Sequence, residues 1–114
     1  MGITKERVGY IMRIYVSGPY TKGDQMMNIR NAILAADQLY SLGHIPYVPH
    51  LTGFWHMVTP RSWEEWLRID RAFIPCCDAL LRIPGESKGA DIEMAYARAL
   101  KIPVYFNLED IPKE

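Results

Sequence analysis

Apolar and polar positions along this chain alternate between two periods. Residues 11–17, IMRIYVS, form a short apolar run that stops at Gly18-Pro19, as a buried strand does. Asp24 then precedes QMMNIRNAILAADQLYSLG, in which Met26, Ile29, Ile33, Ala36 and Tyr40 recur at steps of three and four. A helix capped by Asp24 and closed by Gly43 is predicted there. IPYVP, residues 45–49, reads as a short strand, and Pro46, which has no N–H to give a ladder, puts it at a sheet edge. HLTGFWHMVTPR has no period and reads as an aromatic-rich loop. Ser62 followed by Glu65 is the capping-box pattern, opening a helix through WEEWLRIDRAFI to Pro75. CDALLRI, 77–83, reads as a strand, PGESKG as a loop, GADIEMAYARALK as a helix, IPVYFN as a final core strand and LEDIPKE as a polar tail.

Near-strict alternation of strand and helix implies an α/β domain with a mainly parallel sheet of four to five strands and right-handed crossovers on both faces. In such sheets ligands bind beyond the carboxyl ends of the strands, near the switch point. The segments expected at that edge are 17–24, 48–61 and 83–90. At 114 residues the chain is read as one domain, 1–114, with its core over about 11–107.

Composition removes some function classes. Thirteen basic residues balance thirteen acidic ones, and no run of Lys or Arg tracks a phosphate backbone, so no nucleic-acid polymer is expected as partner. A single nucleotide needs only one or two cations. The N-terminus, MGITKERVGYIMRIYV, lacks the apolar core of a secretory signal, and no apolar stretch approaches the ~20 residues of a membrane span. Cys76 and Cys77 are adjacent, a poor staple and too few for a metal cage. They are expected to be reduced, buried thiols at a strand start in a cytoplasmic protein. His44, His50 and His56 have no metal spacing; neither a metal nor a cofactor is expected.

The residues equipped for chemistry concentrate near the expected ligand edge. Glu93 lies in the first turns of the last helix, with Ala90 and Ala97 on its side leaving room around the carboxylate. It is either a solvated acid favoured by the helix dipole or a group facing a pocket. Asp91, about 200° away on the helix, points elsewhere. Asp70, between apolar neighbours and near Arg68 and Arg71, either pairs with an arginine at the surface or sits buried with a raised pKa. Two converging carboxylates suit cleavage of a glycosidic bond. Ser87-Lys88-Gly89 at a helix start favours an anion, though Ser87 also suits a plain N-cap, and Lys22 is placed to add a second phosphate contact. Tyr15 and Ser17 share a strand face with Ile11 and Arg13 and approach the ligand edge, where the phenol either hydrogen-bonds a carboxylate or is a half-buried strand tyrosine with no such duty. Phe54 and Trp55, beside His56, make an aromatic wall for a base or a subunit contact.

Taken together, IYVSGPY, NIRNAILAADQLYSLGHIPYVPHL, the W…D…CDALLR segment and ESKGADIEMAYARALKIPVY resemble the nucleoside 2-deoxyribosyltransferase-like superfamily over roughly residues 12–106. The resemblance implies a flavodoxin-like, Rossmann-like three-layer sandwich and a homodimer or higher homo-oligomer. It also implies a small-molecule nucleoside or nucleoside monophosphate as substrate, attacked at C1′ by a glutamate. Glu93 takes the nucleophile position, Asp70 the sugar-contacting and proton-handling one, and Tyr15 the phenol that orients the glutamate. Ser17, Gly18, Tyr20, Lys22, His50, Phe54, Trp55, Ser87 and Gly89 are the expected substrate contacts. Transferases of this kind carry an aspartate six residues before the nucleophile. Ser87 stands there instead, as in the deoxynucleoside 5′-monophosphate hydrolases, and a hydroxyl tolerates a phosphate that a carboxylate would repel. The hydrolases' Arg- and Gly-rich first loop is here Pro19-Tyr20-Thr21-Lys22-Gly23, with one cation. Hydrolysis through a glycosyl–Glu93 intermediate is therefore the leading expectation. Base exchange and a non-catalytic nucleotide-binding or sensor module are the alternatives, and an assembly protein using its aromatic loop as an interface ranks below them.

Overall fold

The computed structural model describes residues 10–113. Four parallel strands, β1 (Arg13–Ser17), β2 (Ile45–Tyr47), β3 (Ala79–Arg82) and β4 (Val104–Tyr105), form one sheet in the order β2-β1-β3-β4. β1 pairs with β3 from Ile14↔Ala79 to Ser17↔Arg82. Four helices surround the sheet: α1 (Gln25–Ser41), α2 (Gly53–Val58), α3 (Trp63–Arg71) and α4 (Lys88–Ala99). This is the parallel α/β sheet that the alternation implies, in the flavodoxin-like architecture that the resemblance implies, with β2 at the edge where Pro46 puts it. The chain leaves β1 toward one side and returns to β3 on the other, so the switch point lies between these two strands.

Period two on β1 divides the core. Met12, Ile14 and Val16 pack with Ala79, Leu81 and the inner side of α1, while Tyr15 faces the other way with Leu80, Ile74 and Ala97 of α4. Two apolar layers, one on each face, are what a parallel sheet requires. Caps fix the helix starts. Asp24 accepts from Met27 N, Ser62 and Glu65 form both halves of a capping box, and Ser87 accepts from Ala90 N.

α1 buries Ala32, Ala35, Ala36 and Leu39 against the sheet, whereas Met26, Ile33 and Tyr40 of the apolar period that marks the helix are exposed. Several expectations are corrected. Residues 49–58 are a 3₁₀ turn, Pro49–Thr52, running into α2, so the aromatic segment is helical despite its lack of period. The strand expected over 102–107 shrinks to a half-buried two-residue edge strand. The polar tail instead packs on the core, through Leu108 and the buried Ile111. Fully buried His44 ties that tail down: its Nδ1 accepts from Met12 N and its Nε2 meets Pro112 O. Cys76 is exposed and Cys77 half-buried in and after a 3₁₀ turn, rather than both buried in a strand. Burial still pushes the Cys77 thiol up to about 11.

Among the described residues no helix is long and apolar enough to cross a membrane, and no cluster of side chains suits a metal ion.

Candidate active site

Beyond the carboxyl ends of β1 and β3 lies a cavity of about 560 Å³, within the size range of small-molecule sites. Three segments meet there: the loop after β1, the stretch from Pro49 into α3, and the loop after β3 with the first turns of α4. The loop after β1 comes close to β3's exit because Gly18 has no side chain. A Cβ there would lie 2.1 Å from Ile83 Cγ1, well inside contact distance.

Glu93 stands on the α4 wall. Ala90, Glu93 and Ala97 are three and four residues apart and are the buried residues of that helix, so the carboxylate enters between two small neighbours. Glu93 is only 6 % exposed, which disposes of the solvated-acid reading. β1 supplies its partners. Tyr15 Oη donates to Oε2 at 2.9 Å and Ser17 Oγ donates to Oε1 at 2.8 Å. Both donors are fully buried and two residues apart on one strand face, so the pleat aims them at one acceptor. Behind them, the Tyr15 ring lies 5.5 Å from Tyr47, and Tyr47 stacks on Phe73 at 4.8 Å.

Burial pushes the Glu93 pKa up; the hydroxyls of Ser17 and Tyr15, then the guanidiniums of Arg82 and Arg71, pull it back. Burial and the neighbouring Glu93 carboxylate drive the Tyr15 phenol far above its ordinary value, so it stays a donor. Arg82, itself buried, braces the wall: it donates to Ile83 O, Gly85 O and Asp91 Oδ1 at 2.6, 3.0 and 2.8 Å. Asp91 thus ties the start of α4 to β3 and points away from Glu93.

Asp70 enters the same cavity from α3. Neither arginine pairs with it among the described residues, and its buried Oδ1 has no hydrogen-bond partner. Burial first, and the Glu93 charge second, raise its pKa to about 7. Two carboxylates facing one cavity share protons, and the proton belongs on the one without donors. Glu93 accepts two hydroxyls, so Asp70 is the member that holds the proton near neutrality.

Of the expected substrate contacts, Gly18, Tyr20, Lys22, His50, Ser87 and Gly89 line the cavity, and Ser17 and Tyr15 reach it through Glu93. His50 is buried, its Nε2–H donates to Pro19 O at 2.9 Å, and burial lowers its pKa, which keeps it neutral. Ser87 is both the α4 cap and a cavity residue, so the two readings of it coexist. Phe54 and Trp55 are not brought to the cavity. Phe54 is 72 % exposed, and Trp55 lies behind the wall, edge-on to Trp66 and under Arg61. The helical turn of α2 sends them outward and leaves His56 facing in. The aromatic wall is instead Trp63 and Trp66. With Leu67 and Asp70 they occupy positions i, i+3, i+4 and i+7 of α3, one stripe whose spacing was legible in WEEWLRID. His56 Nδ1 accepts from Trp66 Nε1 at 2.7 Å and from Arg61 N, which fixes that wall.

Beside Lys22 of the first loop, Arg61 and Lys88 also line the cavity. Lys88 lies over the Trp63 ring at 5.6 Å, and Lys22 pairs with Glu86 at 3.4 Å.

A family profile described as "Domain of unknown function (DUF4406)" matches residues 12–106. Among curated proteins none matches the chain. Among solved structures, a 2-deoxyribosyltransferase from the psychrotolerant bacterium Bacillus psychrosaccharolyticus superposes with a TM-score of 0.58 at 22 % identity, over 88 % of this chain and 82 % of that one. At that identity the likeness is one of fold.

Proposed function

The chain belongs to the family described as "Domain of unknown function (DUF4406)", and from that premise we propose that it cleaves the base–sugar bond of a nucleoside or (deoxy)nucleoside 5′-monophosphate. The observation that carries this reading is a buried glutamate at a cavity wall, held by two hydroxyls, in one cavity with an aspartate whose pKa is raised to about 7. The solved 2-deoxyribosyltransferase of the same fold supports a nucleoside as the substrate class.

The chemistry follows from the pair. Glu93 attacks C1′, the C1′–N bond breaks, and its electrons leave with the base. The Asp70 carboxyl gives its proton toward the departing nitrogen. The resulting Asp70 carboxylate then takes a proton from water as that water displaces Glu93 from C1′, releasing the sugar and restoring both groups. Tyr15 and Ser17 hold the nucleophile in one rotamer and favour its ionised form. Trp63 and Trp66 offer π-faces to the base. Ser87, Lys88 and Gly89 at the capped start of α4, with Lys22 from the loop after β1, suit a 5′-phosphate.

Base exchange is the second reading, favoured by the transferase neighbour. A single assay covers both. The protein is incubated with each common deoxynucleoside and its 5′-monophosphate, with and without a second free base, and products are separated by chromatography. Free base without acceptor is the expected result. A new nucleoside appearing only with acceptor makes the protein a transferase, and no turnover of any substrate removes the proposal.

A further inference from the structure

Helix α1 is built the wrong way round for a helix with one partner. Against the sheet it buries mostly small residues, Ala32, Ala35 and Ala36, with Leu39. Away from the sheet it carries its large ones: Met26 is 74 % exposed, Tyr40 65 %, Met27 46 %, Leu34 45 % and Ile33 43 %. Five such side chains on one helix face exceed the scattered exposure of an ordinary surface and mark a contact region. This feature is independent of the cavity and its chemistry.

We propose that this outer face of α1 is the self-association surface, meeting α1 of a second copy antiparallel across a two-fold axis. The register is set by charge. Two ionisable residues lie within this face, Arg30 and Asp37, both exposed; among the described residues neither makes an ion pair. They are seven residues apart, about 10 Å along the helix, too far to pair within one chain. A two-fold axis between Ile33 and Leu34 puts every residue opposite the one with which its number sums to 67. Arg30 then faces Asp37 of the partner subunit, and Asp37 faces the partner's Arg30. The same register sets Ile33 against the partner's Leu34 and Met27 against the partner's Tyr40, a sulfur–aromatic pair. A self-complementary patch in which i meets j and j meets i is what a two-fold dimer demands. A parallel pairing in register would set arginine against arginine.

Sedimentation velocity over a range of protein concentrations tests this. The unaltered chain is expected to dimerise. Arg30→Asp and Asp37→Arg each place like charges opposite one another and are expected to weaken dimerisation at least tenfold. The double variant, Arg30→Asp with Asp37→Arg, re-creates the pairs with their signs exchanged and is expected to recover most of the affinity. Both side chains are exposed, so circular dichroism should show unchanged folding. Hydrogen exchange on the unaltered chain, dilute against concentrated, should show protection gained on α1. A monomer at every concentration overturns the proposal. So does a dimer indifferent to both single variants, a double variant no better than the singles, or protection gained only elsewhere.

Discussion

Glu93 and Asp70 reach one cavity from two differently built walls. On the α4 wall, Glu93 accepts hydroxyls from Tyr15 and Ser17, which a central strand delivers fully buried and two residues apart. On the α3 wall, Asp70 hangs from a nine-residue helix with a buried oxygen that no donor touches. The first arrangement stabilises negative charge at a fixed point. The second stabilises a proton. Identical chemistry on both walls would give two competing bases; under the proposed function, the difference in donors divides the work into a nucleophile and a proton carrier.

The sharpest way to break this division is to exchange the carboxylates for amides one at a time. Glu93→Gln keeps the volume and can still meet both hydroxyls, so folding should survive. Turnover should fall by about a thousandfold or more, because the attacking oxygen is gone. Single-turnover base release is the measurement.

Asp70→Asn should cost about a hundredfold or more in kcat, the usual scale of a lost general acid. It should also change the shape of the pH profile. With a pKa of about 7, the Asp70 proton is present below that pH and lost above it. The unaltered rate should therefore fall through the neutral range, and the Asn variant should lack that limb.

The same group has a stability signature whose sign is fixed. Asp70 is raised in the folded chain, so between its ordinary value near 3.8 and about 7 the folded state holds a proton that the unfolded state has released. Stability contributed by that proton is full below the lower value and declines as pH rises through the upper one. Asn cannot ionise. Thermal unfolding should therefore show Asp70→Asn gaining several degrees on the unaltered chain as pH rises from 5 to 7, with the gap constant above that.

Tyr15→Phe probes the other wall more gently. It removes one of two hydroxyls and leaves Ser17, and a hydrogen bond to a charged group is worth about 1.5–3 kcal/mol. The expected loss is about tenfold in kcat, with the Glu93 limb of the pH profile moved upward. The smallest effects separate the aromatic residues. Trp63→Ala should raise KM severalfold, whereas Phe54→Ala, on the outer side of α2, should leave KM within about twofold.

How legible was this in the sequence? The parallel sheet followed from the alternation of periods, and the capped starts of α1, α3 and α4 from Asp24, Ser62 and Ser87, because caps are local chemistry. Glu93 was readable from the small residues three before and four after it. Tyr15, the partner of Glu93 on β1, lies seventy-eight residues from it in sequence, a tertiary pairing that no local pattern contains and that only the family resemblance implied. Two things escape such patterns. The apolar period Met26, Ile33, Tyr40 marks α1 as a helix but not which side is buried, because the sheet accepts the small alanines and leaves the large side chains outside. Aromatic content likewise leaves Phe54 and Trp55 open between a base wall and a subunit contact. A six-residue helix turns them outward, while the stripe Trp63, Trp66, Leu67, Asp70 had the spacing that content lacked.

The central claim is that a carbon–oxygen bond forms between C1′ and Glu93. Mass spectrometry of protein quenched during turnover of a 2-deoxy-2-fluoro nucleoside, whose fluorine slows release of the sugar, reads that bond directly. The account predicts a chain heavier by one fluorosugar, mapped to the peptide bearing Glu93 and missing in Glu93→Gln. Base released at full rate by Glu93→Gln, or an adduct on any other residue, would contradict it.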